Sequence, residues 1–128
     1  MVRLLSPLAE LPSLDVETGF GVDPNVGPLF GVKAVNSGSV PITITEIYLL
    51  LGWEDGAEKR MYMPTLATGA INGVSLPCRL EPGDPRSFVQ AREPLRDDLR
   101  SQGYERDAKL TLVVKDSLGN SYETPANP

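Results

Sequence analysis

The sequence predicts an all-β domain: two packed antiparallel sheets with one short helical crossover. Three observations predict it. Short runs alternate apolar with polar residues along most of the chain, which is the period of strands that bury one face. Twelve glycines and twelve prolines are scattered through 128 residues and punctuate many short elements. The βαβ rhythm of a parallel sheet is missing, and alternating faces of this kind bury well between two sheets.

Residues 1–12 read as an N-terminal arm, because Pro7 limits the helix that Leu4, Leu8 and Leu11 suggest; residues 13–128 read as one β-sandwich domain. Leu14 and Val16 alternate with Ser13, Asp15 and Glu17 as a half-buried strand. Residues 19–28, GFGVDPNVGP, read as loop by composition. Phe30, Val32 and Ala34 face one way and Lys33 the other, a second strand. Asn36-Ser37-Gly38-Ser39 then carries hairpin-turn chemistry, because Asn tolerates and Gly freely adopts left-handed backbone angles.

Val40, Ile42 and Ile44 share a face, but Ile47, Leu49, Leu51 and Trp53 are in step only with each other. The phase slip predicts one long strand over 40–53, bent by a bulge near Thr45-Glu46, a bend that could carry it between two sheets. Glu54-Asp55-Gly56-Ala57 predicts a hairpin turn, and residues 58–63 the returning strand, stopped by Pro64. After a small-residue loop at 65–73, Val74, Leu76, Cys78 and Leu80 alternate with Ser75, Pro77 and Arg79. Residues 81–85, EPGDP, make a tight turn before a short strand at 87–91. In residues 92–104, Leu95 and Leu99 stand at i, i+4, Pro94 suits a first turn and Gly103 suits a C-terminal cap, so this segment is the helix. Leu110, Leu112 and Val114 begin another strand, Asp116 to Asn120 turn the chain, and a last strand through Tyr122 ends before Pro125.

Three of these motifs together resemble the small immunoglobulin-like β-sandwich domains found in bacterial and phage proteins. They are Val35-Asn36-Ser37-Gly38 leading into Val40-Pro41-Ile42-Thr43-Ile44, then Leu80-Glu81-Pro82-Gly83-Asp84, and Val114 to Tyr122 (VKDSLGNSY). The resemblance covers roughly residues 28–124. It implies an immunoglobulin-like sandwich that serves adhesion, scaffolding or partner binding, and it brings no catalytic residues.

Chemistry is constrained first by what is missing. The chain has no histidine, which removes Ser-His-Asp and Cys-His nucleophilic systems and His-ligated metal sites. One cysteine removes intrachain disulfides, thiolate zinc and iron–sulfur clusters within the chain. Net charge −5 and a pI near 4.7 leave no basic face for nucleic acid or anionic membrane. No apolar stretch has the length of a signal peptide or membrane span, and the expected setting is cytoplasmic. Cys78 is in phase with the apolar residues of its strand and reads as core. Asp97-Asp98, with Glu93 and Asp107, are the acids to consider for calcium, but interleaved Arg92, Arg96, Arg100 and Arg106 make a solvated mixed-charge face the simpler reading. Asp116 to Asn120 lacks the spaced acids of a calcium loop. No cofactor, metal or catalytic site is expected.

The resulting expectation is a non-enzymatic protein–protein interaction or structural module. The alternative is a carbohydrate- or other ligand-binding domain, for which Trp53 and Tyr62 flanking the 54–57 hairpin would be the platform. A small carboxylate-dependent hydrolase is third. The candidate interaction surface is Tyr48, Leu50, Trp53 and Tyr62: Tyr48 and Leu50 lie opposite Ile47, Leu49 and Leu51, so the strand is apolar on both faces and suits self-association or a protein partner.

Overall fold

The computed structural model of the chain describes residues 12–62, 76–104 and 108–128. Most of the expected arm, the expected loop at 65–73 and the start of the strand at Val74 lie outside the described residues. The elements are β1 (Leu14–Asp23), β2 (Gly27–Asn36), β3 (Ile42–Gly52), β4 (Glu58–Tyr62), β5 (Cys78–Leu80), β6 (Pro85–Ala91), α1 (Arg92–Ser101), β7 (Lys109–Asp116) and β8 (Ser121–Pro125). Three strands form one sheet in the order β1-β2-β6. The other sheet runs β4-β3-β7-β8, and β5 pairs with the start of β3. All pairings are antiparallel. The fold is the expected all-β two-sheet sandwich, with α1 crossing from β6 in one sheet to β7 in the other.

Alternation in the sequence becomes the core. Phe30, Val32, Ala34 and Phe88 point in from the three-stranded sheet, and Ile44, Leu49, Leu51, Leu80, Leu112 and Val114 meet them from the other. Leu95 and Leu99, one helical turn apart, lie in the same cluster. The phase slip in β3 is a real register shift against β7 between Ile44 and Glu46, and it keeps both Ile44 and Ile47 buried. The bend does not move β3 to the other sheet; the whole strand stays with β7. Gly103 ends α1 at φ +89°, with Tyr104 N–H donating to Leu99 O (2.9 Å) and Gly103 N–H to Arg100 O (3.0 Å). The last strand runs one residue further than expected, through Pro125, on the exposed edge strand where a missing N–H costs little.

Two expectations are corrected. Residues 19–28 are not a loop. They are the end of a β-hairpin in which β1 pairs with β2 continuously from Leu14↔Asn36 to Asp23↔Gly27. Asp23 Oδ1 accepts from Asn25 N–H (2.7 Å) and Val26 N–H (3.0 Å), a local turn that closes the hairpin. The 36–39 segment turns the chain but is not a hairpin, because β2 pairs with β1 and β6 while β3 belongs to the other sheet.

That corner is built on Asn36, which has no exposed surface. Its side-chain Nδ2 donates to Val40 O (2.8 Å) and Leu80 O (3.0 Å), and its Oδ1 accepts from Gly38 N–H (3.0 Å). Its backbone N–H donates to Asp84 O and its carbonyl accepts from Gly83 N–H. Ser37 and Gly38 N–H groups both donate to Ser13 O. One residue and its two successors therefore tie the entry to β1, the entry to β3, the end of β5 and the turn before β6. Removing the side chain takes this donor from the buried Leu80 carbonyl and the part-buried Val40 carbonyl. Asn36→Ala should lower unfolding free energy by about 2–4 kcal/mol in urea titration. Asn36→Asp should be worse at neutral pH, since a carboxylate would face two carbonyl oxygens, and should recover partly as acid protonates it. An Asn36→Ala protein as stable as wild type would contradict this role.

Candidate functional site

Tyr48 and Tyr62 are cross-strand partners on the outer face of the five-stranded sheet, with ring centroids 5.2 Å apart. The Arg60 guanidinium sits 4.9 Å over the Tyr48 ring. Tyr48 is only 3% exposed and its other neighbour, Val113, is also buried, so this part of the outer face is covered within the chain itself. Leu50 is half-buried in a shallow depression of about 250 Å³ shared with Gly52, Glu58, Lys109, Thr111 and Glu123. Trp53 lies just past the end of β3 and packs against the core. Tyr62 is half exposed on the opposite face of the sheet, at the other end of the β3–β4 ladder. Trp53 and Tyr62 therefore share no platform.

Cys78 is buried and free, and Arg79 beside it turns outward to an exposed ion pair with Glu81 at 2.8 Å. Strand alternation separates the thiol from the guanidinium. On α1, Asp97 pairs with Arg100 at 2.9 Å on the solvated face. Among the described residues no group of three or more His, Cys, Asp or Glu side chains is placed to hold a metal ion.

The densest polar cluster is at Asp116. Its Oδ1 accepts from Leu118 and Asn120 N–H (both 2.9 Å), and its Oδ2 from Asn120 Nδ2 (3.0 Å) and the Tyr122 hydroxyl (3.1 Å). Burial by itself would raise the carboxyl. The hydrogen bonds from the Asn120 side chain and backbone, from Tyr122 and from Leu118 outweigh it and hold the group below its ordinary value of 3.8. Tyr122 is pushed up to about 12, first by burial and then by its bond to that carboxylate. All four bonds serve the β7–β8 turn, two from backbone N–H groups and two from the Asn120 and Tyr122 side chains. Chemically it is a clamp.

The feature that sequence reasoning missed is the β1–β2 hairpin. Antiparallel partners share a face, so Phe20 sits with Phe30 and Gln90 on the inner side, and Gly19 with Gly31 and Val89 on the outer side. Phe20 contacts Phe30 at a centroid distance of 6.1 Å, and the Arg92 guanidinium lies 5.1 Å over its ring. Even so, Phe20 is 63% exposed and Val22 79%, and Val26 in the adjoining turn is also exposed. On the outer side a groove of about 290 Å³ runs over Gly19, Gly21 and Gly31, walled by Glu17, Lys33, Leu29, Ser87 and Val89. The signal was present. Val16, Thr18, Phe20 and Val22 keep a period of two across the glycines, and counting those glycines as breakers hid it.

No protein-family model matches the chain, and no curated protein matches it. Solved structures do. The archaellum periplasmic stator protein FlaG from Sulfolobus acidocaldarius aligns at 12% identity and TM-score 0.46, over 89% of this chain and 100% of that one. A protein assigned as ApaA from Bordetella pertussis aligns at 11% identity and TM-score 0.39, over 91% and 89%. A protein from Archaeoglobus fulgidus aligns at 15% identity and TM-score 0.34, over 91% and 99%. Likenesses this distant carry no argument about activity or partners.

The Asp116 clamp makes stability depend on pH at both ends. A carboxyl held below 3.8 in the fold contributes stability that is present above that value and lost as pH falls through its lower folded value. A phenol raised to about 12 contributes stability that is complete below 10.0 and lost as pH rises through about 12. Urea unfolding across pH should show both limbs. Asp116→Asn should flatten the acid limb, and Tyr122→Phe the alkaline one. Limbs of unchanged steepness in both variants would show that other groups set them.

Proposed function

We propose that this domain is a non-enzymatic partner-binding module with an immunoglobulin-like sandwich as its frame and the β1–β2 hairpin as its contact element. The observation that carries the reading is the exposed apolar set Phe20, Val22 and Val26 at the far end of a hairpin of two ten-residue strands. Large aliphatic and aromatic side chains left together in water favour burial against another surface, at roughly 25 cal/mol per Å² removed from solvent. The core formed by the described residues closes without them.

The strand distribution supports the immunoglobulin-like frame. The first two strands and the one before the helix form one sheet, and the third and the last two belong to the other, the partition such sandwiches use. The polar chemistry supports a binding role over catalysis. Histidine is absent from the chain, and the Asp116 carboxylate is fully engaged in its own turn. The acidic net charge directs the partner class toward protein rather than nucleic acid. No helix among the described residues is long and apolar enough to cross a membrane.

Immobilised wild type and the Phe20→Asp/Val22→Asp variant, exposed to lysate of the source cells, should retain different protein sets. Both changed positions are largely exposed, so stability should stay within about 0.5 kcal/mol per site. Loss of the specifically retained protein from a folded variant is the expected result. The same protein retained equally by both would remove the hairpin from the binding site.

A further inference from the structure

The sandwich has four outer edges, and three are guarded. β4 carries exposed Glu58, Lys59 and Arg60. β8 carries exposed Glu123 and Pro125. β6 opens with Pro85 and Arg86, and α1 packs on β2 and β6 beside it. Charges, prolines and covering elements are the usual devices that stop an edge from pairing with another chain. β1 differs in its middle. Among the described residues it is hydrogen-bonded only to β2; Asp15, Glu17 and Asp23 put charge toward its ends and β8 packs beside it, but Thr18-Gly19-Phe20-Gly21-Val22 contains neither charge nor proline. Four of those five residues are exposed.

The glycines beside this edge are a second, separate observation. A side chain at Gly19 would meet nothing within 4 Å. At Gly31 it would meet only ordinary contacts, the nearest being Gly19 O at 3.8 Å. Neither has a positive φ. Glycine inside a strand costs about 0.5–1 kcal/mol relative to alanine, and nothing in the described chain requires it here. Such glycines mark places where another group approaches the sheet closely. Here they floor the groove of about 290 Å³ beside the free edge.

We propose that the free edge of β1 takes up an extended segment of a partner protein by antiparallel strand addition. The inference rests on the partner-binding reading above and names the partner's chemistry. Side chains of an added strand alternate between faces in step with β1. Opposite Phe20 and Val22, on the inner side, they are apolar and cover those two residues. Opposite Gly19, on the outer side, an aromatic ring lies over the Gly19–Gly31 floor, the packing by which aromatic residues compensate strand glycines. Opposite Glu17 and Asp15, also on the outer side, they are Lys or Arg. Lys33 stands across from Glu17 on the groove wall, but among the described residues neither acid forms an ion pair. A second copy of this chain fits poorly. Antiparallel pairing of two β1 strands centred on Phe20 would set Glu17 against Asp23 at both ends.

The test is selection of displayed random peptides of about ten residues on the wild-type domain, with counter-selection on Gly19→Lys. That variant fills empty space, so it should fold, and it adds the lysine that guards natural edges. Enriched peptides should alternate apolar residues with an aromatic and Lys or Arg. Once synthesised, they should shift the amide resonances of residues 15–22. Gly19→Lys should weaken them by about tenfold or more, and Glu17→Lys by about threefold. Failure to enrich any peptide overturns strand addition, as do selected peptides that bind Gly19→Lys equally well or lack basic residues. A β1-mediated dimer of the wild-type domain in sedimentation also overturns it, by making a second copy the occupant. Should strand addition fail while Phe20→Asp/Val22→Asp still releases a retained protein, the partner-binding reading survives without it.

Discussion

The buried amide of Asn36 is the constraint on which the sandwich depends. Two sheets can bury each other only if the chain passes between them at a fixed height, because a strand displaced by one residue exposes its whole apolar set. Asn36 fixes that height by bonding Val40 and Leu80 through its side chain and Gly83 and Asp84 through its backbone. An apolar residue would fill the same volume, but it could not satisfy the carbonyls of Val40 and Leu80 at the point where the strands part. Ile42 and Ile44 then enter the core opposite Leu80 and Cys78 in one register.

What the corner does at one end of the molecule, α1 does at the other. Leu95 and Leu99 lie in one cluster with Phe30 and Phe88, which have no exposed surface. The helix packs on β2 and β6, and Arg92 at its start reaches over Phe20. β1 and β2 are ten residues each, and among the described residues Phe20, Val22 and Val26 stay exposed at their far end. The partner-binding proposal draws on apolar surface the fold leaves over, while the four hydrogen bonds at Asp116 are spent on a turn.

How much of this the sequence discloses follows from the range of the interactions. Local signals were readable. Leu95, Leu99 and Gly103 define the helix and its end, and the phase slip between Ile44 and Ile47 locates the bulge. Asp116 to Asn120 was visible as a turn, but the reach of Asp116 to Tyr122 was not. Pairing partners lie outside any short window. Asn36-Ser37-Gly38-Ser39 has the composition of a hairpin turn, and only the distant bond to Leu80 and the pairing of β2 with β6 make it a crossover. Trp53 and Tyr62 flank one turn in sequence, yet strand parity puts one against the core and the other outside. Gly19 and Gly21 resemble loop residues because their pairing with Gly31 and Leu29, which makes them strand, is not visible in a short window.

Native-state amide hydrogen exchange tests the central claim most directly, which is that the sandwich is complete without the hairpin end. Exchange separates groups that open only with global unfolding from those that open locally. The account predicts that Leu49 in β3 and Leu112 in β7 exchange with the full unfolding free energy, and that residues 20–26 open at a small fraction of it. Equal protection of residues 20–26 and the central strands would contradict it, because the hairpin end would then belong to the cooperative core rather than to a surface kept for a partner.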